Sequence, residues 1–74
     1  NRIEGIDPAG LIITHGTARA ETAGTLYLWD VSGRLLLEAS MQPGNSVNLP
    51  ESGSGIAVFQ KHVGGQQKIH WSIR

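Results

Sequence analysis

Leu26-Tyr27-Leu28-Trp29-Asp30-Val31-Ser32-Gly33-Arg34-Leu35-Leu36-Leu37 sets two apolar runs on either side of the turn Asp30 to Gly33. An aspartate at the first turn position accepts hydrogen bonds from the backbone N–H groups just ahead of it. A glycine at the fourth takes positive φ without Cβ strain. The two runs must therefore fold back on each other as antiparallel strands. Alternation puts Tyr27 and Trp29 opposite Leu26 and Leu28, and Leu35 and Leu37 away from Leu36, so the hairpin is apolar on both faces. Such a hairpin is either central in a sandwich or covered by a partner.

Outward from the hairpin the pattern stays β. Leu11 and Ile13 face one way from a first strand within Ile3 to Thr14, and Val47 and Leu49 mark a short strand further on. Ile56 and Val58 alternate with Ala57 and Phe59 in a strand that reaches about His62, and Ile69, Trp71 and Ile73 alternate strictly with Lys68, His70 and Ser72. This last strand is the cleanest amphipathic one. With Ile69, Trp71 and Ile73 inward, Lys68, His70, Ser72 and Arg74 are exposed on a closing edge strand, and the unpaired backbone of such an edge is open to β-augmentation. Ala18 to Ala23 has the only helix-like composition, but it is short, Gly24 closes it and Thr17 and Thr22 lower its propensity, so a loop or irregular strand is expected. Ser52-Gly53-Ser54-Gly55 reads as a loop.

Composition agrees with a small all-β domain. The chain has 74 residues, 39% hydrophobic and 16% charged, with ten glycines, three prolines and no cysteine. A chain of this size has room for one domain, 1–74, and buries about 60% of its unfolded surface. Without cysteine there is no disulfide and no zinc-thiolate site. No apolar run approaches the roughly 20 residues that span a bilayer, so no transmembrane segment is expected. With no initiator methionine and no signal peptide, the chain reads as a piece of a longer protein. Six basic and six acidic residues are scattered singly, leaving no electrostatic footprint for nucleic acid. Residues 51–74 carry Lys61, Lys68 and Arg74 against Glu51 alone, which reads as ordinary surface charge.

Residues capable of chemistry are few. His15, His62 and His70 with Asp30 lack the spacing of a metal site and read as surface or turn residues. None of the serines lies in a Gly-x-Ser-x-Gly elbow, and the glycine pairs lack the Lys-Ser/Thr of a phosphate loop. No enzyme, metal or cofactor is expected.

Trp29-Asp30-Val31-Ser32-Gly33-Arg34-Leu35-Leu36 is similar to the aromatic-Asp-x-x-Gly-Arg-apolar-apolar signature of the type A C-terminal sorting domains that address cargo to the type IX (Por) secretion system of Bacteroidetes. Ile3 to Thr14 stands where the family opens with a short apolar strand. Gly44 to Pro50 and Gly55-Ile56-Ala57-Val58-Phe59 hold the next places in order, with Ala57 where the family usually has tyrosine. Gly64-Gly65 and Lys68-Ile69-His70-Trp71-Ser72-Ile73-Arg74 match the closing turn and terminal strand, with one lysine rather than two together. The resemblance implies a small Ig-like antiparallel β-sandwich of about seven strands. It implies a signal carried by Asp30, Gly33, Arg34, Gly55 and Lys68 to Arg74. It further implies the type IX translocon and a sortase-like surface protease as partners, passage through the periplasm, and arrival at the cell surface or outside the cell. Cleavage near Asn1 and joining of the cargo to lipopolysaccharide would follow.

Two other readings compete. One is an Ig-like domain retained as an assembly or adhesion module, with dimerisation through an exposed edge strand. The other is a carbohydrate-binding sandwich in which Tyr27, Trp29 or Trp71 stacks on sugar. Burial of the rings discriminates it, and Trp71 is expected inside.

Overall fold

The computed structural model describes residues 10–14 and 16–73. Within them the chain forms seven strands: β1 (Leu11–Thr14), β2 (Thr17–Ala20), β3 (Gly24–Asp30), β4 (Leu35–Met41), β5 (Ser46–Asn48), β6 (Gly53–Lys61) and β7 (Gln66–Ile73). Two antiparallel sheets result, ordered β1-β2-β5 and β4-β3-β6-β7. This is a small all-β sandwich of the Ig-like kind. Against the constant-type arrangement, the fourth strand has joined the β3-β6-β7 sheet instead of the other one.

The central hairpin forms as its turn residues dictate. Asp30 Oδ1 accepts from the N–H groups of Ser32 at 2.9 Å and Arg34 at 3.0 Å, and Gly33 N–H donates to the Asp30 carbonyl at 3.0 Å. Gly33 sits at φ 88°, in the left-handed region that disfavours side chains. β3 then lies between β4 and β6, with Leu26 and Leu28 fully inside and Tyr27 and Trp29 half-buried on the opposite face.

Strict alternation fails in β4. The register shifts between Leu28, opposite Leu37, and Trp29, opposite Leu35, so Leu36 is an extra residue in a β-bulge. Leu37 therefore packs against the core, while Leu35 shares the outer face with Trp29. Leu35 and Leu36 are 40% and 39% exposed.

Two further expectations change. Thr17–Ala20 is a regular strand, and the central one of its sheet, paired to β1 and β5. Its alanines 18 and 20 are completely buried and belong to the core. Gly53 to Gly55 belongs to β6 rather than to a loop, because the β6 ladder with β7 runs from Gly53↔Ile73 to Gln60↔Gln66. The part of the first strand upstream of Gly10 lies outside the described residues, as do His15 and Arg74.

The core is formed by Leu11, Ala18, Ala20, Leu26, Leu28, Met41, Leu49, Ala57, Phe59 and Trp71, and no polar residue is buried among the described ones. A side chain also joins the sheets. The Gln67 amide accepts from Leu11 N–H at 2.8 Å and donates to the Leu11 carbonyl at 3.2 Å, giving the β1 backbone the pairing a neighbouring strand would supply.

Candidate functional site

Three residues singled out in the sequence fall on one cross-strand row. Asp30 on β3 is opposite Gly55 on β6, and Gly55 is opposite Trp71 on β7. The Trp71 indole lies inside, 3% exposed, and donates from Nε1 to the Trp29 carbonyl at 3.2 Å. That reach depends on Gly55. A Cβ at Gly55 would run into the Trp29 carbonyl oxygen itself. The terminal strand is thus fastened to the base of the central hairpin by a hydrogen bond passing across a residue without a side chain.

At the turn, Arg34 Nε is 3.5 Å from Asp30 Oδ2 and its side chain is 77% exposed. Asp30 is held below the ordinary aspartate range, first by the Arg34 backbone N–H, with the Ser32 N–H and the Arg34 charge acting the same way and partial desolvation opposing them. The carboxylate serves the turn and is engaged there, which leaves Arg34 as the projecting charge of the hairpin tip.

β7 is an edge of the four-stranded sheet. Its inner side is locked by Ile69, Trp71 and Ile73, and its outer side presents Lys68, His70 and Ser72, all exposed. The edge away from β6 has no strand beside it among the described residues. Gln67, which the hydropathy pattern does not mark, also fixes this strand, through its two hydrogen bonds to Leu11; its only signal is a polar residue in register with the apolar Ile69, Trp71 and Ile73.

The outer face of the same sheet carries an open groove of about 610 Å³ bordered by Trp29, Val31, Ile56, Val58, Lys68 and His70. Tyr27 lies beside it on β3. Of the three rings considered for sugar stacking, Trp71 is inside and Tyr27 and Trp29 are half-buried on this face. His62 is exposed at the end of β6, away from His70, and no group of histidine and acidic residues able to hold a metal occurs among the described residues. No helix among them is long and apolar enough to cross a membrane. Comparison with models of known families, with curated proteins and with solved structures finds no match.

Proposed function

We propose that the chain is a C-terminal sorting domain that directs attached cargo through the type IX secretion translocon to the cell surface. The observation that carries the reading is the placement of the terminal strand. Among the described residues β7 is an edge strand, anchored from within by Trp71 and Gln67, with Lys68, His70 and Ser72 exposed. A receptor adding a strand to that edge gains main-chain hydrogen bonds and reads Lys68, His70 and Ser72 as alternate side chains. The Asp30-x-x-Gly33-Arg34 turn supports the rest of the resemblance, since it builds the central hairpin on which β7 is fastened. In this reading a sortase-like protease at the surface removes the domain and joins the cargo to lipopolysaccharide.

A fluorescent protein carrying a periplasmic signal and residues 1–74 at its C-terminus tests the proposal in a Bacteroidetes host. Surface or medium fluorescence is expected, and loss of Ile73 and Arg74 is expected to abolish it while the domain keeps its β-type circular dichroism. Periplasmic retention of the folded, intact fusion refutes the proposal. It moves the retained assembly or adhesion module into first place, a reading favoured by the half-exposed Tyr27 and Trp29 on a sheet face that nothing in the chain's described residues covers.

A further inference from the structure

We infer that the outer face of the β4-β3-β6-β7 sheet is a self-complementary surface that pairs with a second copy of this chain about a two-fold axis parallel to the strands. The inference stands apart from the sorting proposal.

The register of the sheet lays out this face in rows. One row reads Glu38, Tyr27, Val58, Lys68, from β4 to β7. The next reads Leu35, Trp29, Ile56, His70. Each row has an apolar centre on the two inner strands, and the first ends in an acid on one edge strand and a base on the other. Neither Glu38 nor Lys68 has an ion-pair partner among the described residues, and both are exposed. With strands about 4.8 Å apart, the two charges stand about 14 Å from each other, too far to pair within one chain.

A two-fold axis along the strand direction, running midway between β3 and β6, reverses the order of strands while keeping each residue at its own height. Glu38 of one copy then lies over Lys68 of the other, twice. Tyr27 lies over Val58, Trp29 over Ile56, and the bulge-displaced Leu35 over His70 beside the open groove. The operation is the isologous one that closes a dimer. It leaves the strands of the two facing sheets nearly aligned, as sandwich packing favours, at a separation of about 10 Å. The alternative axis, across the strands, sets Glu38 facing Glu38 and Lys68 facing Lys68.

Four strands span about 19 Å, and the two rows with their neighbours run for a similar length. The face is thus at the low end of specific interfaces, and a dissociation constant in the micromolar range, about 10 to 100 μM, is expected.

Sedimentation of the 74-residue chain from about 1 μM to 1 mM tests this. The mass is expected to rise from 7.9 kDa toward twice that value. Glu38→Lys and Lys68→Glu, each alone, place like charges over one another twice and should weaken association at least about tenfold. An equimolar mixture of the two variants restores both pairs in a heterodimer and should regain wild-type affinity, as should the double variant with itself. Both positions are exposed, and circular dichroism checks that the variants are folded. A chain monomeric throughout the range overturns the inference. So does a dimer indifferent to the charge changes, which would be built through another surface such as the β7 edge, and so does a mixture that stays monomeric.

Discussion

Trp71→Phe isolates the tie between the terminal strand and the hairpin. The change keeps an aromatic ring in the core but removes the indole N–H that donates to the Trp29 carbonyl at 3.2 Å. Losing a hydrogen bond of this kind costs about 0.5 to 1.5 kcal/mol. The smaller ring also vacates space over Gly53, where a Cβ would stand 3.6 Å from the outer edge of the indole at Cη2. A loss of about 40 Å² of buried apolar surface is worth about 1 kcal/mol. The sum is about 2 kcal/mol, which in a domain of this size lowers the melting temperature by roughly 8 to 16 °C. The assay is thermal unfolding followed by far-ultraviolet circular dichroism, with Trp29→Phe as the comparison. Trp29 is half-buried on the outer face, and its side chain makes no hydrogen bond among the described residues. Its replacement should therefore lower the melting temperature much less. If the two variants melt together, or Trp71→Phe melts within about 3 °C of the parent, the tie does not stabilise the fold as described.

Gly33→Val should destabilise by about 1 to 3 kcal/mol through backbone strain alone, since φ is 88° and nothing lies within 4 Å of the added Cβ; an unchanged denaturant midpoint would contradict the turn geometry. Gly55→Ala drives a methyl group into the Trp29 carbonyl and should cost about 1 to 3 kcal/mol, with Trp71 fluorescence shifting to the red as the indole is displaced; a parent-like spectrum and stability would refute the close approach. Asp30, whose carboxylate is held below its ordinary value in the folded chain, contributes stability that is present above the unfolded pKa and is lost as the pH falls through the folded one, in the region below about pH 4. Asp30→Asn should flatten the dependence of melting temperature on pH there, and an identical slope in parent and variant would show that the turn carboxylate is not a source of it.

The hairpin and the terminal strand were legible because each is governed by local rules. Asp30 and Gly33 satisfy a four-residue turn by themselves, and Ile69, Trp71 and Ile73 repeat with the period of a pleated strand. β2 is hidden because Thr-Ala-Arg-Ala has no large apolar residue to mark a buried face; Ala18 and Ala20 become core residues only once the strand is paired on both sides and the two sheets meet. The bulge at Leu36 was hidden too, since three consecutive leucines give no sign of which one is extra. Gly53 and Gly55 resembled a loop in composition, yet the strand needs them without side chains: a Cβ at Gly55 meets the Trp29 carbonyl, and Gly53, at φ 122°, lies under the Trp71 ring. The row Asp30, Gly55, Trp71 joins positions far apart in the chain, so only the ladder reveals it.

The amide of Gln67 holds Leu11 across 56 positions of chain. A polypeptide leaving the ribosome N-terminus first presents β1 long before β7 exists, so the Leu11 backbone waits for its Gln67 partner until β7 has been made. This clamp is therefore a report that synthesis has passed Gln67. A product cut short before Gln67 lacks both the clamp and the strand that Trp71 anchors, and it presents itself to proteases as an open sheet rather than a finished domain.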